Sequence, residues 1–328
     1  MSKYLVGISD YVEVPEIERK AFPEAGFVYL DGEETALETN SKLQELDALL
    51  VWHSAITPQV ASALKQCKIV VRYGVGFDNI NIQALHDNKI PFSNTPDYGT
   101  EEVADTACAM ILNYIRRINE YNAQAKKLDP KWQKYIPGIR RTKELVVGIV
   151  GVGRIGTAVM NRLRPFGVKL LGYDPNQPSG HEKAIGYQRA WTLNSLLEQS
   201  DIVSIHCPDN AQTRGMINET FLSKMKPGSA LVNTARGKIL KDLEVLKPFL
   251  VNGHLAHVAL DVVPSEPPVE NSVISGWLND EEWIRNKFVL NPHTAFYSEE
   301  AWTEMRFKAA ETARMYLIDG FLRNQVKP

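Results

Sequence analysis

The chain has 328 residues, 44% of them hydrophobic and 23% charged, with a formal net charge of -2. That is enough chain for two domains with sizeable cores. The charge balance excludes a protein held to nucleic acid or to an anionic membrane by bulk positive charge, and the basic pairs Arg116-Arg117 and Arg140-Arg141 are short and isolated.

From the N-terminus, MSKYLVGISDYVEVPE has only a brief apolar stretch with acids close behind, unlike the apolar core and small-residue cleavage site of a signal peptide. No run reaches the ~20 apolar residues of a membrane span. Cys67, Cys108 and Cys207 are odd in number and far apart. They read as reduced thiols, so a cytoplasmic location is expected.

Short apolar runs rich in β-branched residues then alternate with helical patterns. Residues 4–8, 48–52, 69–73, 146–150, 169–173, 202–206, 230–233, 257–261 and 288–290 read as strands, and 103–121, 192–199 and 240–251 as helices. Alternation of this kind predicts an α/β fold with parallel sheets and helical crossovers. Residues 128–143, LDPKWQKYIPGIRRTK, are dense in proline, glycine and charge, and strands restart directly after them. The segment is expected to be the loop before a nucleotide-binding unit, with the long helix from Val103 connecting two lobes.

Within 144–175, Gly151-x-Gly153-x-x-Gly156 follows the apolar run 146–150 and opens the helix-compatible stretch 155–166. A lone glycine motif of this form is weak. Here a second strand ends in Asp174, 18 residues after Gly156, which is the context a dinucleotide needs. Gly151 suits the tight turn, Gly153 the approach of a pyrophosphate, and Gly156 the packing of helix on strand. The helix start at Arg154 and Ile155 offers amides and a positive dipole end to phosphates. Asp174 would accept hydrogen bonds from the adenosine ribose. Pro175 and Asn176 follow it rather than an arginine, which favours NAD over NADP.

Three later side chains follow strand candidates: Arg236 in LVNTARGKIL, Glu266 in ALDVVPSEPP and His293 in VLNPHTAFYSEE. Ligands of open parallel sheets bind beyond the carboxyl ends of the strands, so the three are expected to gather where the glycine loop holds its cofactor. Among the other histidines, His254 and His257 have no carboxylate or cysteine at a metal-site spacing, and no metal is expected. For His206, at the end of its strand, a cofactor contact and simple packing both stay open.

The chain resembles the D-2-hydroxyacid dehydrogenases, and within them the C-terminal-binding-protein-like branch. The matching segments are VVRYGVGFDNINI (70–82), NTPDYGTEEVADTA (94–107), GIVGVGRIG (148–156), VNTARG (232–237), ALDV (259–262) with Glu266 beyond it, and NPHTAFYSEEAWTEMR (291–306). They run in the family's order over most of the chain. The resemblance implies two doubly wound parallel-sheet domains. One is a Rossmann cofactor domain, 103–297. The other is a discontinuous, flavodoxin-like substrate domain, 1–102 with 298–328, and the cleft between them closes on ligand.

By the same resemblance, Arg236 would bind the substrate carboxylate and polarise the keto oxygen. His293 would be the general acid in reduction and the base in oxidation, and Glu266 would orient it and favour its protonated form. The amides of Val75 and Gly76 would form a second carboxylate clamp, with Tyr73 beside them. Cys207, Pro208, Thr213, Thr234 and Ala235 would lie at the cofactor and Asp261 at its amide.

Phe296 stands where animal C-terminal-binding proteins have tryptophan. It suggests an apolar pocket wall and a 2-oxo acid with an aliphatic, thioether or aromatic tail, although packing between lobes also explains it. CPDN (207–210) and Lys238 depart from the family pattern and leave adenine binding open. The expected partners are a small 2-oxo or 2-hydroxy acid and a second copy of the chain in a homodimer. The competing reading is an NAD(H)-sensing, corepressor-like interaction protein with little or no turnover.

Overall fold

Runs of leucine and β-branched residues form two separate sheets in the computed structural model, which describes residues 3–10 and 14–328 and, at Glu34 and Thr35, the backbone alone. The chain divides into two compact units, Met1–Gly99 with Tyr297–Pro328, and Thr100–Phe296. The sequence reading set these divisions after residues 102 and 297.

Strands β1 (Tyr4–Ser9), β2 (Ala25–Leu30), β3 (Ala48–Val51), β4 (Ile69–Arg72) and β5 (Phe92–Asn94) belong to the first unit. The second holds β6 (Val146–Val150), β7 (Lys169–Tyr173), β8 (Gln188–Arg189), β9 (Ile202–Ile205), β10 (Ser229–Asn233), β11 (Leu255–Leu260) and β12 (Phe288–Leu290). The chain then rejoins the first unit through the helix Glu299–Asp319 and β13 (Gln325–Val326).

In the first sheet the order is β13-β5-β4-β3-β1-β2, parallel except for β13 on β5. Without β13 this is the 2-1-3-4-5 order of flavodoxin-like folds. The second sheet runs β12-β11-β10-β9-β6-β7-β8, all parallel. That is the doubly wound dinucleotide-binding order, with its switch point between β6 and β9.

A parallel sheet covered by helices is buried on both faces, and the two-residue period of the strands sorts its side chains accordingly. Val147 and Ile149 of β6, Val232 of β10 and Ala259 of β11 join the core beneath the helices Thr100–Arg116 and Arg154–Leu163. Val150, Val203, Ile205, Leu231, Val258 and Leu260 form the core on the opposite face.

Several elements differ from the sequence reading. Strands β2, β5, β8 and β13 lie outside the expected runs. The helix expected over 103–121 is two, Thr100–Arg116 and Ile118–Ala125. The break is at Arg117, whose φ of 54° is left-handed. Its guanidinium bonds Glu120 at 2.9 Å and lies 4.3 Å from the Tyr114 ring centre, two contacts that hold the break in place. The helix expected over 240–251 is confined to Lys247–Val251 behind a 3-10 turn, Glu244–Leu246. Asp242 accepts the Val245 amide at 3.0 Å and opens that turn, and Pro248, which lacks an amide proton, suits only the first turn of the helix. Among the described residues no helix is long and apolar enough to cross a membrane.

Candidate active site

The glycine loop leaves β6 at Gly151, with φ of 91°. A Cβ there would stand 2.6 Å from the Cys207 nitrogen, and one on Gly156 would stand 2.1 Å from the Gly151 oxygen. Both positions therefore need glycine for the chain to close on itself. Gly153 differs: nothing lies within 4 Å of the place its Cβ would take. It caps the helix Arg154–Leu163 without a side-chain bond, so the first amides of that helix face open space of the kind a phosphate fills.

Asp174, at the end of β7, is tied to this loop. One carboxylate oxygen accepts the Val152 amide and the other the Asn176 amide, each at 2.9 Å. Each oxygen keeps a further lone pair. Beyond β9, His206 exchanges a 2.8 Å hydrogen bond with Ser204, while burial drives its pKa down to about 3 and keeps the imidazole neutral. Burial likewise pushes the Cys207 thiol up to about 12.

Thr213 donates to the Pro208 carbonyl at 2.5 Å and accepts the Asn210 amide at 2.9 Å, closing the 208–213 loop. Asn233 accepts the Ala235 amide and donates to the Arg236 carbonyl, both at 3.0 Å, and so shapes the turn after β10. Two buried polar atoms on this edge, His206 Nδ1 and Thr234 Oγ1, have no partner among the described residues. Such orphans are rare and fit an edge whose polar ligand would supply the missing bonds. The open cradle, the tied carboxylate and these orphans together fit a dinucleotide.

Arg236, Glu266 and His293 follow β10, β11 and β12, which are neighbours in the sheet. The Arg236 turn packs tightly on the Glu266 loop: a Cβ on Gly237 would fall 1.8 Å from the Val263 oxygen. Glu266 accepts the Val263 amide at 3.2 Å with one oxygen and bonds His293 Nδ1 at 2.7 Å with the other. Partial burial pushes the Glu266 pKa up. The hydrogen bond and charge of His293, the Val263 amide and the Arg236 guanidinium outweigh it and leave the carboxyl below the usual carboxylate range. Glu266 thus bonds His293 directly, and the Arg236 charge acts on the same carboxylate.

The His–Glu contact is 37% and 39% exposed on its two sides, and a pair so exposed adds little to stability, about 0–1 kcal/mol. Yet His293 has a left-handed φ of 55°. A non-glycine residue held there costs of order 1 kcal/mol and persists only where its surroundings over-determine it. The restraint comes from Asp261, 2% exposed. Its carbonyl accepts the His293 amide at 2.8 Å, and its carboxylate accepts the amides of Thr294 and Ala295 at 3.0 Å.

Burial raises the Asp261 pKa, with Glu266 adding to the rise, against the Ala295 and Thr294 amides and the His293 charge. The sequence reading put Asp261 at a cofactor amide; in the structure its carboxylate is engaged by backbone. Asp261→Ala is therefore expected to lower unfolding stability by about 1–3 kcal/mol through the orphaned amides, measured by chemical denaturation.

The Phe296 ring stands edge-on to His293, with centroids 6.3 Å apart. In the first unit, Gly74 takes a φ of 108° after β4, and Asn94 donates to the Val75 carbonyl at 2.7 Å. The amides of Val75 and Gly76 have no partner among the described residues, as in a turn able to hold an anion. Tyr73 does not share that exposure. It is 1% exposed and donates to Glu18 at 3.1 Å, which corrects its expected place beside a ligand to a place in the core.

Comparison with known proteins agrees with this architecture. Residues 108–295 match the model of the D-isomer specific 2-hydroxyacid dehydrogenase NAD-binding domain. A glyoxylate reductase of Thermofilum pendens is 36% identical over 289 residues, covering 87% of this chain and 81% of that one. The chain belongs to the D-2-hydroxyacid dehydrogenase family. This is a family of NAD-dependent oxidoreductases, and the matched stretch lies inside the unit Thr100–Phe296.

C-terminal-binding protein 1 of Caenorhabditis elegans is 31% identical over 299 residues, which are 88% of this chain but 40% of that longer protein. A D-lactate dehydrogenase from Aquifex aeolicus, solved with NAD and lactic acid, superposes with a TM-score of 0.82 at 25% identity, covering 99% of both chains. Within this family member, sequence reasoning overlooked Asn233 and Arg189. Asn233 carries a local signal, an Asx turn to the residue two positions on. Arg189 carries none, because only the pairing of β7 with β8 brings it to Asp174.

Proposed function

We propose that the protein reduces a 2-oxo acid to the D-2-hydroxy acid with NADH, and runs the reverse oxidation. The observation behind this reading is the 2.7 Å bond from Glu266 to His293 Nδ1, with the Arg236 charge acting on the same carboxylate. With Nδ1 engaged, Nε2 is the ring position left to give a proton to the substrate oxygen or to take one from it. Arg236 binds the substrate carboxylate through its planar fork. Glu266 fixes the tautomer and the ring orientation. Val75 and Gly76 offer amide donors of the kind a carboxylate takes.

The dinucleotide would be held by Gly151, Gly153, Arg154, Ile155 and Gly156 at its phosphates and by Asp174 at its ribose, and would exchange a hydride with the substrate carbon. His206, Cys207, Pro208, Thr213, Thr234 and Ala235 would line its other side. Asp174→Ala is expected to weaken NADH roughly ten-fold, the scale of a lost charge-assisted hydrogen bond, and NADPH much less. Fluorescence titration with each nucleotide measures this. An unaltered preference would remove Asp174 from the ribose.

Phe296 beside His293 supports a substrate with an apolar or aromatic tail. The deciding experiment mixes purified protein and NADH with a panel of 2-oxo acids and follows NADH absorbance. Turnover of at least one member supports the proposal; tight NADH binding with no turnover on any would point to a nucleotide sensor.

A cytoplasmic homodimer completes the proposal. In support, no residue of the helix Ile118–Ala125 is buried, and Ile118, Leu128, Trp132 and Tyr135 along the same excursion are exposed. So much apolar surface on one segment suits burial against a second copy. Light scattering giving a mass other than twice that of the chain would count against the dimer.

A further inference from the structure

Asp174 stands in a loop whose underside converges on one largely covered cation. Arg189, 11% exposed and located on the edge strand β8, donates to the Gln177 carbonyl at 2.6 Å and the Pro178 carbonyl at 2.9 Å. It also reaches the Asp174 carbonyl at 3.4 Å. Its charge is balanced by Glu182 at 3.2 Å, and the exposed Trp191 covers it with the ring centre 4.8 Å away. On its other side the loop is tied to the glycine turn twice, through Asp174 to the Val152 amide and through the Gln177 side chain to the Val152 carbonyl at 3.1 Å.

Three carbonyls on one guanidinium is far more than an edge strand of two residues needs in order to pair. A fork that satisfies several acceptors at once fixes geometry in a way a point charge cannot. This cation also lies near Asp174 but is spent on backbone and on Glu182, and so is withheld from the ligand side.

From this we infer that Arg189 is a positioning residue for cofactor selectivity. By holding the 174–178 loop from beneath, it sets the Asp174 carboxylate for a ribose hydroxyl, and its own charge, spent on Glu182 and on backbone carbonyls, is not offered to a 2′-phosphate. The inference rests on the proposed use of Asp174 toward NAD. NADH affinity depends on how exactly that carboxylate is placed, whereas NADPH, which cannot use it as an acceptor, gains nothing from the placement.

Fluorescence titration of NADH and NADPH against the wild type, Arg189→Gln and Arg189→Lys tests it, with a thermal melt of each. The expected result is an NADH dissociation constant raised roughly ten-fold in both variants, with NADPH changed less than about two-fold, so that the preference falls by most of a decade. Lysine fails because it keeps the charge but loses the fork.

Equal weakening of both nucleotides would show a purely structural role and overturn the inference, as would an unchanged ratio or full rescue by lysine. Should Arg189→Gln not fold, Glu182→Gln, which removes the charge facing the guanidinium and keeps an acceptor for the Gly180 amide, must shift the ratio in the same direction by a smaller factor, and no shift overturns the inference. A wild type without NADH preference would instead overturn the NAD assignment of Asp174 beneath it.

Discussion

His293→Gln is expected to lower turnover by about 10²- to 10⁴-fold, the usual contribution of a positioned acid–base group, while NADH binding stays within about two-fold. Glutamine can keep a hydrogen bond to Glu266 and fill similar space, but it has no proton to give or take at neutral pH. Neither the cradle at Gly153 nor the Asp174 loop touches His293, so the nucleotide has no reason to leave. Stopped-flow reduction of a working 2-oxo acid, with NADH titration of the same preparation, measures both quantities. Parallel loss of turnover and NADH affinity would mean that His293 holds the fold and not the proton.

Sign matters for the partner. The folded Glu266 carboxyl titrates below its usual range, so the stability its contacts add is present at neutral pH and lost as pH falls through that lowered value. The amount is small for a group this exposed. A collapse of activity at mildly acidic pH is therefore not expected from Glu266.

How much of this could be read in the amino acids depends on how local each cause is. The glycine turn was legible because strand, turn, helix start and Asp174 lie within one short stretch, and each glycine answers a steric demand of that stretch. Arg236, Glu266 and His293 were legible as strand-end residues. Their gathering at one edge was expected from the rule that open parallel sheets bind ligands beyond their strand ends, whereas no local pattern encodes that β10, β11 and β12 are direct neighbours.

β5 and β13 were missed because they are too short to show a two-residue period, and β2 because it is an edge strand, only partly buried along its length. The break at Arg117 was invisible since the apolar rhythm of 103–121 continues through it; the left-handed turn is held by Tyr114 and Glu120, three residues away on either side. Tyr73 was misplaced for a related reason. Its neighbours Gly74, Val75 and Gly76 form an open turn, but its own ring points into the core, where Glu18 from a distant helix receives its hydroxyl.

Arg236→Lys is the second large effect expected. Arg236 keeps one donor on the Ala235 carbonyl at 2.7 Å, and Asn233 and the tight Gly237–Val263 packing hold its turn, so the guanidinium is presented by a rigid segment. Lysine at this position retains the charge, and with it part of the pull on Glu266. It offers a single ammonium in place of two parallel donors, on a stem the turn does not orient. Losing one charge-assisted bond to the substrate is worth about 1.5–3 kcal/mol, so kcat/KM for the 2-oxo acid should fall about 10- to 100-fold. Both a higher KM and a lower kcat are expected, because the same fork binds the carboxylate and polarises the keto oxygen as charge develops there. NADH affinity should not follow. Steady-state kinetics over a range of oxo acid, beside NADH titration, separates the cases. A raised KM at constant kcat would confine Arg236 to binding the ground state, and unchanged kinetics would remove it from the site.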